Sequence, residues 1–158
     1  MTRLRRTSSL VLLVLCLGGA TLVGACADNP VGRPCFIGAD AGTTNQNVIA
    51  SPALECSSRT CLHLSTQSST QDDLCTASCS SDEDCDKVDE SPCTGGFVCA
   101  IAVETGPFCC KKFCQCRDYL VIPDGGLPDP SNCDSNNVIN ECCNLTGRRG
   151  NPDYPQCH

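Results

Sequence analysis

Between residues 35 and 157 the chain carries 16 of its 18 cysteines, and no other feature narrows its possible folds as far. They are Cys35, Cys56, Cys61, Cys75, Cys79, Cys85, Cys93, Cys99, Cys109, Cys110, Cys114, Cys116, Cys133, Cys142, Cys143 and Cys157. What an even set this dense becomes depends on where the chain lives: exported chains oxidise their thiols, whereas cytosolic ones keep them reduced for metals or catalysis.

The first 26 residues settle the compartment. A basic start (Arg3, Arg5, Arg6), an apolar run from Leu10 to Leu17 and small residues before a break are the parts of an export signal. The break falls on Cys26, preceded by Leu22-Val23-Gly24-Ala25. That arrangement resembles the lipobox of bacterial lipoproteins, where the cysteine sulfur receives a diacylglycerol and becomes the new N-terminus. The resemblance implies a signal peptide over 1–25, lipidation of Cys26 with acyl chains such as palmitate, and attachment to a membrane. Ala27, rather than Asp, follows the cysteine, which by analogy with lipoprotein sorting points to the outer membrane. Two plainer readings compete. Cleavage after Ala25 without lipid would release a soluble protein. An uncleaved span is disfavoured, because Leu10–Ala27 barely reaches the ~18 apolar residues required and contains Gly18, Gly19 and Gly24. Polar Thr7-Ser8-Ser9 after Arg5-Arg6 favours general secretion over the twin-arginine route.

The chain from Cys26 onward has few means of folding other than its cysteines. It holds seven Leu, five Ile, seven Val and four Phe, with no Trp and no Met. So thin an inventory with high net charge ordinarily marks disorder. Eight bridges would reverse that outcome, each restraining the unfolded chain by roughly 2–4 kcal/mol. Their pairing stays open, since sequence does not fix connectivity. Loss of Arg3, Arg5 and Arg6 with the signal takes the formal charge from −7 to −10. A body this acidic repels nucleic acid and anionic lipid, which excludes nucleic acid as a partner.

Along the chain, residues 26–55 contain one bridging cysteine, Cys35, among Gly, Pro, Ala, Asn and Thr. They read as a flexible tether, with Cys35 available to staple it down. Residues 56–158 read as the cysteine-rich domain, densest over 75–122. Within it Gly96–Glu104 alternates Phe97, Cys99, Ile101 and Val103 on one face, Thr105-Gly106-Pro107 turns, and Phe108–Cys116 returns. This predicts a β-hairpin. On a continuous return strand Cys109 and Cys110 would face opposite sides, with Cys110, Cys114 and Cys116 sharing one. The 65–73 stretch and most of 123–158 read as loop, with one short helical candidate at Asp134–Cys143. The expected fold is small, disulfide-rich and loop-rich, with a β-hairpin core and little helix apart from the signal segment.

Chemical motifs are weak. Cys75-x-x-x-Cys79, Cys110-x-x-x-Cys114-x-Cys116, His63 and His158 invite a zinc reading, which the oxidising compartment disfavours. No Cys-x-x-Cys is present, so a thioredoxin-like role lacks its motif. Asp82, Asp84 and Asp86 alternate as in a calcium loop, but Lys87 replaces the turn glycine and Cys93 the bidentate glutamate. A solvated acidic loop is the plainer reading. No nucleophile elbow accompanies His63. Gly147-Arg148-Arg149-Gly150 reads as a solvated basic loop. No catalytic residue, metal ligand or cofactor site is assigned.

Two resemblances follow from these residues. Cys79-Ser-Ser-Asp82-Glu-Asp84-Cys85, with Cys109-Cys110-x-x-x-Cys114, resembles parts of the whey-acidic-protein inhibitor domain. It departs from that domain by the 23 residues between Cys85 and Cys109. A broader set resembles the cysteine-rich lipoproteins common in myxobacterial proteomes: Pro52-Ala-Leu-Glu-Cys56-Ser-Ser-Arg-Thr-Cys61-Leu, the acidic run, Gly96-Phe-Val-Cys99-Ala and Phe108-Cys-Cys-Lys-Lys-Phe-Cys-Gln-Cys-Arg-Asp118. That resemblance implies a cell-envelope address and no activity. The expectation is a lipid-anchored, non-enzymatic binding or surface-interaction module, partnered by the membrane through Cys26 and by an unidentified protein or envelope ligand. The alternative is a protease inhibitor presenting residues 86–92.

Overall fold

A computed structural model describes residues 30–38, 46–65, 71–134, 141–152, 154 and 157. The expected signal segment, Cys26, residues 66–70 and residues 135–140 of the helical candidate lie outside the described residues. Two small antiparallel sheets carry the body. Strands β1 (Val48–Ala50), β2 (Cys61–His63) and β3 (Leu74–Cys75) form the first, in the order β1-β2-β3. Strands β4 (Phe97–Ile101) and β5 (Lys112–Cys116) form the second, as the expected hairpin. Helical structure among the described residues is limited to single 3-10 turns, at Asp82–Asp84, Arg117–Tyr119, Ser131–Cys133 and Glu141–Asn144. The fold is small, disulfide-rich and loop-rich.

All sixteen cysteines from Cys35 to Cys157 are paired. The bridges are Cys35–Cys61, Cys56–Cys75, Cys79–Cys99, Cys85–Cys114, Cys93–Cys116, Cys109–Cys142, Cys110–Cys133 and Cys143–Cys157. Two lock the first sheet, five reach the hairpin or its turn, and the last closes the C-terminal segment. Cystine serves here as core material. The buried cluster under the hairpin joins Val31, Leu74, Ala77 and Phe97 to Cys93, Cys114 and Cys116, and that under the first sheet joins Ala53 to Cys56, Cys61 and Cys75. Among the described residues, Leu62, Leu64, Ala102 and Phe113 make the one cluster without a buried cysteine. Several small clusters replace a single core, as the short supply of large apolar side chains requires.

Three expectations need correction. The 26–55 tether does not extend to residue 55. The chain is built into the body from Val31, which is 0 % exposed and pairs with Lys87 as a parallel bridge. Its N–H donates to the Asp86 carbonyl at 2.8 Å, and its carbonyl accepts from Val88 at 3.0 Å. Gly32 makes this insertion possible, since a Cβ there would collide with the Ser91 side chain and the Phe97 ring.

The return strand starts at Lys112 rather than Phe108. Cys110 has φ of 58°, which ends alternation before the strand begins. Cys109 and Cys110 therefore do not staple the hairpin on opposite sides. Both bond to the C-terminal segment, at Cys142 and Cys133. The physical reason is the turn: Cys109 donates to Gly106 and Lys111 to Phe108, so residues 106–111 are curled where extension was expected.

The 147–150 loop is solvated only in part: Gly147, Arg149 and Gly150 are exposed and Arg148 is not. Arg148 is 4 % exposed, with Nη1 donating to the Cys109 carbonyl at 2.6 Å and Nη2 to that of Pro107, and its guanidinium lies 3.7 Å from the Tyr154 ring centroid. It pins the C-terminal segment to the hairpin turn.

Candidate binding surface

Cys85 and Cys93 bracket the loop 86–92, and their partners, Cys114 and Cys116, stand two residues apart on β5. Alternation puts both partners on one face of the strand, so both ends of the loop are fixed to one short segment. Val31 holds the loop from behind through Asp86 and Val88. Ser91 donates from its backbone to the Val88 carbonyl, closing a turn with Asp89 and Glu90 at its tip. Lys87 Nζ donates to the Cys93 carbonyl at 3.3 Å. Asp86, Lys87, Asp89, Glu90 and Pro92 remain exposed. The backbone is thus fixed on three sides while the side chains face solvent.

The neighbouring acids divide by use. Asp82 Oδ1 accepts from the Cys99 N–H at 2.8 Å and Oδ2 pairs with Arg117, tying the 3-10 turn to β4. Asp84 Oδ2 accepts from the N–H groups of Ser80 and Ser81, at 2.7 and 3.0 Å, and those donors hold its carboxyl below the usual range. Asp118 clasps the 94–95 turn, accepting from the Gly95 and Thr94 N–H groups and the Thr94 hydroxyl. Gly95 contributes most to lowering its pKa. The Ser81 hydroxyl lowers Glu83. Of the three calcium-like aspartates, Asp82 and Asp84 are therefore engaged by backbone donors. The lowered carboxyls of Glu83, Asp84 and Asp118 contribute to the negative sign of this surface.

His63 is 7 % exposed inside the first sheet, with Nδ1 2.7 Å from Asp73 Oδ1. Asp73 Oδ2 accepts from the Ile37 N–H at 3.3 Å, so the couple fastens the 35–37 segment to β2 and β3. His158 lies outside the described residues. Sulfur atoms gather in threes, as at Cys35, Cys56 and Cys75, at Cys79, Cys85 and Cys114, and at Cys110, Cys133 and Cys142. Each of these sulfurs belongs to a bridge, and a bridged sulfur lacks the thiolate charge of a metal ligand. A shallow depression of about 70 Å³ is lined by Pro30, Arg33, Glu55, Ser57, Cys75 and Val88.

Sequence reasoning found the bracketed loop and the hairpin, since cysteine spacing and alternation signal both. It missed the Val31 insertion, the His63–Asp73 couple, the Asp118 clasp and buried Arg148. Each of these joins residues ten or more positions apart, and no local pattern marks them. Comparison with protein-family models, with curated proteins and with solved structures finds no match to this chain.

Proposed function

We propose that this protein is a lipid-anchored module of the bacterial cell envelope, held on the outer membrane through Cys26, which binds a cationic partner and performs no catalysis. The resemblance of residues 22–26 to a lipobox supports the anchor. The observation that carries the binding reading is the doubly clamped acidic loop 86–92, with its exposed tip at Asp89-Glu90. A backbone fixed before association loses less conformational entropy on binding. Its anionic side chains complement a basic peptide or polyamine surface.

The test has two arms. Cys26→Ser is expected to lose fatty-acid label and leave the membrane fraction, and a variant that stays there without lipid overturns the anchor. Crosslinking on intact cells is expected to capture a basic partner through the loop. Capture unchanged in Asp89→Lys/Glu90→Lys overturns the binding reading.

The same clamp favours a second reading, a protease inhibitor, because a bridge-held exposed loop suits a protease cleft. Stoichiometric inhibition of a protease that cleaves after acidic residues, abolished by Glu90→Ala, would establish it in place of passive binding. Turnover of a substrate, lost in His63→Ala, would overturn both.

A further inference from the structure

We infer that Phe36 and Leu54 form an apolar foot that seats the body on the lipid surface to which Cys26 holds it. The inference rests on the anchoring reading above. Phe36 is 72 % exposed and Leu54 74 %, in a chain with few large apolar residues to spend on solvent. Glu55 joins them: its Oε1 accepts from the Phe36 N–H at 3.1 Å, and Leu54 is its neighbour in sequence. Glu55 also lines the shallow depression together with Pro30, the first described residue. The foot therefore stands where the chain leads out toward Cys26.

The length of that lead limits the geometry. Three residues lie between Cys26 and Pro30, so the four steps of chain span at most about 14 Å when fully extended. This is comparable with the radius of gyration of a domain this size, roughly 14 Å. So short a lead keeps the Pro30 end close to the lipid plane, where apolar side chains exposed at that end are placed to meet the interface.

Bridges present the two side chains rather than letting them fold inward. Cys35, beside Phe36, is bonded to Cys61, and Cys56, two residues past Leu54, to Cys75. Ala53 donates to the Arg59 carbonyl and Arg59 to that of Cys56, closing the turn that carries Leu54. Arg33 and Arg59 are exposed at the same end, where guanidinium groups can reach headgroup phosphates while their stems lie along the apolar surface. Among the described residues at this end, Glu55 is occupied with the Phe36 N–H, and Asp73 with His63 and Ile37. The net charge of the body opposes anionic membranes, so the surface that fits is a zwitterionic one, engaged by apolar contact.

The chain contains no tryptophan, which makes single-Trp reporters clean. Lipidated F36W, L54W and L145W proteins would be reconstituted into phosphatidylethanolamine–phosphatidylcholine vesicles carrying acyl-brominated lipid. Leu145, exposed on the C-terminal segment that Arg148 pins to the hairpin turn, serves as the control outside the proposed foot. F36W and L54W are expected to lose about half or more of their emission, since interfacial apolar groups sit roughly 5–10 Å deep, within reach of the bromines. L145W is expected to keep its emission. Unquenched F36W and L54W in protein that carries lipid and sediments with the vesicles overturns the foot and assigns the patch to a protein partner. Equal quenching of all three overturns the fixed orientation. Absence of lipid by intact mass overturns the anchor and this inference with it, an outcome the mass alone distinguishes from the others.

Discussion

Arg148 and Arg149 are adjacent and chemically identical, yet the first is buried and the second exposed, with Arg149 donating to Asn144 Oδ1. The difference is the pair of carbonyls at Pro107 and Cys109, which need donors once the C-terminal segment covers them. Arg148→Ala leaves both unsatisfied and is expected to cost about 1–3 kcal/mol, read as a lowered urea midpoint with bridges intact. Lysine should rescue little, because its single ammonium cannot reproduce the planar fork. Arg149→Ala is expected to change the midpoint by much less. Asp118 and Asp84 give a second prediction. Backbone N–H donors depress both carboxyls in the folded state. Their contribution is present above the unfolded value of about 3.9 and is lost as pH falls through the depressed folded values. The urea midpoint is expected to drop below about pH 4, and Asp118→Asn should flatten that dependence. An unchanged acid limb in the variant would remove Asp118 from the account.

At the scale of elements, the hairpin and the 31–33 segment depend on each other. Gly32 has φ of 96° and runs against Ser91 and Phe97. A left-handed conformation alone costs a non-glycine residue about 1–2 kcal/mol, and the overlap adds to it. Gly32→Ala is therefore expected to expel Val31 from beneath the hairpin. Faster amide exchange at Val31 and Val88, whose N–H groups bond across this contact, would report the loss. The bridges should also rank by setting. Cys93 and Cys116 are 0 % and 1 % exposed within a buried cluster, whereas Cys143–Cys157 closes a separation of only 14 residues at the chain end. Replacing the first pair by alanine is expected to cost the usual ~2–4 kcal/mol for a lost bridge together with the cavity left behind. Replacing the second should loosen the C-terminal segment and leave the hairpin protected from exchange. Equal effects of the two deletions would contradict the packing account.

For the whole molecule, cystine substitutes for a core. The described residues from 35 to 157 contain no unpaired cysteine, so alkylation without reductant is expected to label none of these sixteen. Partial reduction with mapping should recover the crossed pairs Cys35–Cys61 and Cys56–Cys75. It should also recover a second crossed set, Cys85–Cys114 and Cys93–Cys116. Full reduction is expected to unfold both sheets together, because no single apolar cluster is large enough to persist alone. Retained near-native exchange protection after reduction would show that the clusters suffice without sulfur.

Composition and spacing by themselves determined the class of this fold. An even cysteine set and a shortage of large apolar residues leave a bridge-held, loop-rich body as the solution that can stay folded. Alternation at Phe97–Ile101 and the Thr105-Gly106-Pro107 turn located the hairpin, because β-structure of this kind writes its period into adjacent residues. The bracketing of the acidic loop by Cys85 and Cys93 was equally visible. Tertiary structure alone decided which cysteine meets which, since loop closure depends only weakly on length and many pairings have similar entropic cost. It also decided that Val31 is core rather than tether, that Cys109 and Cys110 serve the same neighbouring segment, and that Arg148 is buried. Each outcome depends on what a distant segment offers at the point of contact: a parallel backbone at Lys87, the two half-bridges at Cys133 and Cys142, two bare carbonyls. Local sequence carries no record of such partners.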